Sequence, residues 1–130
     1  MSPTPYSNLQ RVDHMLRAFV RILKVTEGCD EEGFVASEDK CDIVERQISK
    51  IGEAAHAIDR AFQSQHPEIE WRTLIDYRNF IVHEYNDVNY SMIWQTVVQD
   101  ATNYRDQLQT LFDSMPKPEL GAPAVPAAST

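Results

Sequence analysis

The chain has 130 residues, 42% of them hydrophobic and 25% charged, a balance that buries a core in one domain without help from a disulfide or metal. Its formal charge of −8 and pI near 4.8 exclude a protein whose whole surface adheres to nucleic acid, so any contact with phosphate has to be local. No apolar run approaches the roughly 20 residues that span a bilayer, and the polar, proline-bearing start is unlike a secretion signal. Cys29 and Cys41 are then expected as free thiols of a cytoplasmic protein, at a spacing that fits no zinc pattern.

Four main helices are expected. In the first, over about 7–26, Leu9, Val12, Leu16, Phe19 and Leu23 recur in threes and fours, with Arg11, Asp13, Arg17, Arg21 and Lys24 between them. Gly28 stops it, and the acidic connection 30–39 has room for a short helical turn. The second helix, capped by Ser37 or Asp39, carries Val44, Ile48, Ile51, Ala55, Ile58 and Phe62. Ile43, Ala54, Ala57 and Ala61 broaden its apolar surface, which suits contact with neighbours on two sides or with a second subunit.

Residues 63–69 form a break fixed by Pro67, and a shorter third helix is expected over 71–82. Asn86, Asp87 and Asn89 mark the next turn, with Asp87 or Asn89 as N-cap of a fourth helix. That helix presents Ile93, Val97, Ala101, Tyr104, Leu108, Leu111 and Met115 on one face. Residues 116–130, rich in Pro and Ala, read as a disordered tail after a helical domain over 1–115. With no strand, repeat or Gly-rich phosphate loop, the expected architecture is an all-α, mostly antiparallel bundle.

The third helix carries the unusual residues, in the octapeptide Arg78-Asn79-Phe80-Ile81-Val82-His83-Glu84-Tyr85. On a wheel at ~100° per residue, Leu74, Ile75, Ile81 and Val82 cluster with Arg78 in their midst, Tyr85 projects within about 20° of Arg78, and His83 lies roughly 140° away. Burying a guanidinium costs several kcal/mol unless something negative meets it, so this placement invites a functional explanation. One ideal helix cannot aim Arg78 and His83 at one atom. Either the helix ends near Val82 and His83 swings round on the loop, or two chains supply the site across a two-fold axis.

From Gln47 to Phe112 the chain resembles the HEPN domain, and more narrowly its HepT-type toxin branch. The resembling segments are Ile51-Gly52-Glu53-Ala54, Pro67-Glu68-Ile69-Glu70-Trp71 and the octapeptide, which matches the family pattern of arginine, four residues, histidine, one residue, tyrosine. The resemblance implies a homodimeric endoribonuclease toxin that cleaves tRNA or messenger RNA without metal, Arg78 and His83 being catalytic. It also implies an antitoxin partner, a nucleotidyltransferase of the MntA type, which uses ATP and magnesium to adenylylate Tyr85. The resemblance implies no cofactor for the toxin itself.

The residue types suit that chemistry. An arginine fork binds non-bridging phosphate oxygens, and an imidazole moves protons near neutral pH. Asn79 is a candidate to bind phosphate or orient His83, and Glu53, opposite the apolar stripe of its helix, to face a partner subunit or pair with Arg78. His14, His56 and His66 lack ligand spacing, and Trp71, Trp94, Tyr77 and Tyr104 suit core or interface positions better than base stacking. The alternative of a different class is a non-catalytic HEPN module that binds nucleotide or docks a nucleotidyltransferase.

Overall fold

The threes-and-fours spacing of the first two apolar stripes produces two long helices packed along each other. The computed structural model describes residues 5–80 and 88–117, with side chains from residue 8, and all regular structure among them is helical. Helix α1 (Pro5–Val25) buries Leu9, Val12, Met15, Leu16, Phe19 and Ile22. After it Gly28 takes φ +77°, the left-handed conformation glycine adopts without a Cβ penalty. The acidic connection folds one short helix, α2 (Glu31–Val35). Asp30 caps it by accepting from the Gly33 N–H, and Phe34 is driven fully into the core.

Helix α3 (Glu38–Ala57) starts at Ser37, whose hydroxyl accepts from the Lys40 N–H; of the two candidate caps the serine serves and Asp39 lies in the first turn. α3 runs antiparallel to α1. The Lys40 ammonium donates to the Val25 carbonyl at one end (3.1 Å), and the Asp59 N–H to the Asn8 side chain at the other (3.4 Å). This second helix does not continue to Phe62. It stops at Ile58, in extended backbone, and α4 (Arg60–Gln65) starts afresh. The Gln63 amide donates to the Ala55 and Ile58 carbonyls, satisfying groups that a helix end leaves free. Of the residues expected to widen the apolar surface, Ala54 is buried, Ile43 half-buried, and Ala57 and Ala61 exposed.

Helix α5 (Trp71–Asp76) is pinned at its start by Trp71, whose indole N–H donates to the His66 carbonyl (2.9 Å). The expected α-helix over 71–82 is not continuous: at Tyr77 the backbone tightens into a 3-10 turn, Tyr77–Phe80, and residues 81–82 lie outside the described residues. The fourth helix is likewise segmented, into α6 (Tyr90–Ile93), one π turn (Trp94–Val98) and α7 (Ala101–Ser114). Asn89 is its cap, accepting from the Met92 N–H, while Asp87 lies outside the described residues. The π turn, closed by the Gln99 N–H on the Trp94 carbonyl, accompanies burial of both Val97 and Val98, adjacent residues that a regular α-helix would point about 100° apart.

The all-α class is as expected, but the described residues hold seven α-helical segments rather than four uninterrupted helices. α1 lies against both α3 and α7, while α5 and the 3-10 turn lie on α3. An aromatic cluster joins these layers: Phe19 of α1 stacks on Tyr104 of α7 (5.4 Å between centroids) and meets Tyr77 edge-on (6.2 Å). No helix among the described residues is long and apolar enough to cross a membrane. Cys29 and Cys41 are free thiols. Of the expected tail, Pro116 and Lys117 are described and the remainder is not.

Candidate functional site

The position of Arg78 follows from its neighbours. Tyr77 is fully buried, with Phe80 tilted against its ring at 5.3 Å, so the 3-10 turn is anchored from inside. Arg78, the next residue, is thereby pressed onto α3 at Gly52. A Cβ built on Gly52 would stand on the Arg78 Cγ, 3.0 Å from the Arg78 backbone nitrogen and 3.4 Å from its Cα. Only a glycine leaves this space, and Gly52 is itself buried inside a helix, where glycine costs about 1 kcal/mol relative to alanine. The aliphatic stem of Arg78 fills the notch.

Arg78 as a whole is half-buried, so it is not the fully buried arginine that its place among apolar residues on the helical wheel suggested. Asn79, beside it, is exposed. His83 and Tyr85 lie outside the described residues, so their convergence on Arg78 is not described. The projection that put Tyr85 over Arg78 required an α-helix through residue 78, and the 3-10 turn removes that premise.

Glu53 does not pair with Arg78. It is exposed on the side of α3 that turns toward α1, where it lines an open groove, and no ion pair among the described residues joins it to the arginine. The reason is angular: successive helical residues diverge by ~100°, so a helix that presents Gly52 to Arg78 presents Glu53 elsewhere.

Among the described residues no three His, Cys, Asp or Glu side chains are grouped to hold a metal ion. His14 and His56 are exposed, and His66 meets Glu68 at 3.3 Å. Trp71, Tyr77 and Tyr104 are core residues, while Trp94 is half-buried against Phe34 (5.5 Å). Gly52 is the site residue that helical patterning could not find. Its signal was a buried glycine inside an otherwise strong helix, 26 residues before the arginine it accommodates.

Comparison with known proteins finds relatives along most of the chain. The family described as Ribonuclease HepT-like matches residues 15–111, which run from within α1 to within α7 and include both Gly52 and Arg78. "Probable ribonuclease HepT" of Thermococcus cleftensis is 31% identical over 105 residues, covering 81% of this chain and 96% of that protein. "Putative RNase TTE0752" of Caldanaerobacter subterraneus subsp. tengcongensis is 26% identical over 111 residues, covering 85% of this chain and 95% of that protein. No solved structure matches. A family match over most of the helical region, together with a relative aligned along nearly its whole length, establishes that this chain belongs to the HepT-like ribonuclease family of the HEPN superfamily.

Proposed function

We propose that this protein is an endoribonuclease toxin that cleaves RNA by attack of a ribose 2′-hydroxyl on the adjacent phosphate. The 2′-oxygen forms the new bond to phosphorus and the 5′-oxygen departs, leaving a 2′,3′-cyclic phosphate and a 5′-hydroxyl. Two protons have to move, one off the nucleophile and one onto the leaving group, and His83 is the residue proposed to move them. Arg78 offsets the charge that builds on the phosphorane oxygens, and Asn79 is available to bind phosphate. A two-fold dimer whose cleft holds the motif of each chain would bring two imidazoles to one phosphate. Adenylylation of Tyr85 by a partner nucleotidyltransferase of the MntA type would control the activity.

The observation that carries this reading is the seat of Arg78 on Gly52. A buried helix that accepts a glycine to seat an arginine stem supports a role for Arg78 as a positioned cation, and preorganised charge is how electrostatic catalysis acts. Membership of a ribonuclease family supports the same conclusion.

The test is cleavage of RNA by the purified protein in excess EDTA, with analysis of the product ends and sedimentation equilibrium in parallel. Cyclic or 3′-phosphate ends are expected, lost in Arg78→Ala and His83→Ala proteins that keep a native helical spectrum. Each loss should be about a hundredfold or more. A metal requirement or 3′-hydroxyl products would refute the mechanism, and a monomer at micromolar concentration would refute the composite cleft. A protein that binds nucleotide or the nucleotidyltransferase but cuts nothing would be the non-catalytic module instead.

A further inference from the structure

The groove between α1 and α3 has a volume of about 1010 Å³ and a charge opposite to that of the rest of the molecule. Its lining includes Arg11, Arg17 and Arg21 from α1 and Arg46 and Lys50 from α3, which is five of the chain's 12 Lys and Arg. Only one of its 20 Asp and Glu, Glu53, joins them. A chain of formal charge −8 has thus gathered nearly half its fixed cations into one channel, with Ala18 and Ala54 in the floor.

The arrangement follows from helical spacing. Arg17 and Arg21 are one turn apart on α1, and Arg46 and Lys50 one turn apart on α3, so the two pairs line opposite walls of an antiparallel helix pair. From Arg11 to Arg21 the α1 wall extends about 15 Å. Besides Glu53 in the lining, Asp13 competes from beside it, accepting from the Arg17 Nε at 2.9 Å, an exposed pair of the kind that contributes little and exchanges readily.

We infer that this groove binds the phosphate backbone of RNA, as a track separate from the cleavage chemistry at Arg78. The inference rests on the ribonuclease reading for the identity of its polyanion. Charge complementarity selects this occupant. A second copy of the same face would set five cations against five, and an apolar segment would leave them unpaired; a phosphate chain neutralises them in sequence. The track also reconciles an acidic protein with an RNA ligand, since like charge elsewhere on the surface keeps RNA from binding indiscriminately. Glu53 in the groove and Gly52 under Arg78 are neighbours on α3 that diverge by ~100°, so the groove and the seat of Arg78 share one helix on different sides.

Binding is measured apart from cleavage, by fluorescence anisotropy with a fluorescein-labelled oligouridine whose 2′-O-methyl riboses cannot attack phosphorus. One variant combines Arg17→Gln, Arg21→Gln, Arg46→Gln and Lys50→Gln, all exposed positions. A control removes the same number of charges outside the groove, through Lys24→Gln, Arg60→Gln, Arg72→Gln and Arg105→Gln. The groove variant should bind at least tenfold more weakly, with the slope of log affinity against log salt reduced by about 0.7 for each phosphate no longer met. At about 0.15 M salt the control should stay within about twofold, because charges farther from the RNA than a Debye length of about 8 Å are largely screened.

Equal weakening of the two variants, unchanged binding in the groove variant, or no binding by the native protein overturns the track. So does a groove variant that binds RNA normally but changes its oligomeric state, which would make the groove an interface between copies. Groove-dependent binding with no cleavage of unmodified RNA under any condition leaves the track standing and removes the ribonuclease reading instead.

Discussion

Gly52 and Arg78 approach so closely that the arginine side chain occupies the space where any other residue at position 52 would place its Cβ, and the Arg78 backbone nitrogen is 3.0 Å from that point. The relationship ties a helix interior to the one arginine of the family motif. Because backbone as well as side-chain atoms are involved, the conflict cannot be relieved by a rotamer change alone.

Gly52→Ala therefore sets two effects against each other. Alanine favours the helix by about 1 kcal/mol, while overpacking a tight contact costs about 1–3 kcal/mol. The net destabilisation should be at most about 2 kcal/mol in urea unfolding, small enough to leave a folded protein. RNA cleavage should fall at least tenfold, because the 3-10 turn must move and the guanidinium with it. Full activity in a folded Gly52→Ala protein would show that the notch is not needed to position Arg78.

Tyr77 makes a second test of the anchor. Its hydroxyl is buried without a hydrogen-bond partner among the described residues, and burial, reinforced by Tyr104, Asp100 and Glu70, pushes its pKa well above the ordinary tyrosine value. Tyr77→Phe removes an unsatisfied polar atom and keeps the ring, so stability at pH 7 should be unchanged or slightly higher.

The same substitution should alter the alkaline limb. A group whose pKa is raised on folding contributes stability below its unfolded pKa and loses it as pH rises, because the unfolded tyrosine releases its proton from about pH 10 onward while the native one cannot. Urea midpoints compared at pH 7 and pH 10.5 should therefore diverge, the Phe variant gaining relative to native protein at the higher pH. A clear loss of stability at pH 7 would mean that the hydroxyl has a partner.

The two cysteines should differ in reactivity. Cys41 is buried, its thiol donates to the Phe34 carbonyl (3.3 Å), and burial, with Glu45 and Asp42 nearby, pushes its pKa up. Since the thiolate is the nucleophile, iodoacetamide at pH 8 should modify half-buried Cys29 first and reach Cys41 only when the protein opens. Peptide mass spectrometry over a time course gives the order, and equal rates under native conditions would contradict the packing of α2 against α3.

Local chemistry was the legible part of this fold. Asp30, Ser37 and Asn89 all face backbone N–H groups three residues on, and such caps depend only on nearby sequence. Ser37 and Asn89 were among the caps anticipated. The break at Ile58 was not legible, because Ile58 and Phe62 continue the spacing of α3. What stops the helix there is the Gln63 amide on the Ala55 and Ile58 carbonyls, together with the contact from Asp59 to Asn8, 51 positions away. The 3-10 turn was hidden for a similar reason: helical projection saw Arg78 among apolar neighbours but had no means of seeing Gly52. The basic groove was half visible, since Arg11, Arg17 and Arg21 read as the solvated face of one helix until α3 brought Arg46 and Lys50 beside them.

Tyr85 closes the motif, and its proposed modification gives the sharpest test of control. Transfer of adenylate joins the tyrosine oxygen to the α-phosphorus of ATP and releases pyrophosphate, leaving a bulky anion seven residues from Arg78 in the chain. If that anion reaches the arginine, it supplies a tethered phosphate where RNA would have bound, so the adduct should abolish cleavage while leaving the helical spectrum and unfolding midpoint unchanged. Incubation with the cognate nucleotidyltransferase, ATP and magnesium should add whole adenylate units, mapped to Tyr85 by peptide mass spectrometry, with activity lost in proportion. Tyr85→Phe should resist modification and remain toxic when the antitoxin is present. Tyr77 is buried, and the Tyr90 hydroxyl is engaged by Glu45, so neither is free to accept the group without local opening. Adenylate found there or on Tyr104, or full activity in protein modified at Tyr85, would defeat this account of the switch.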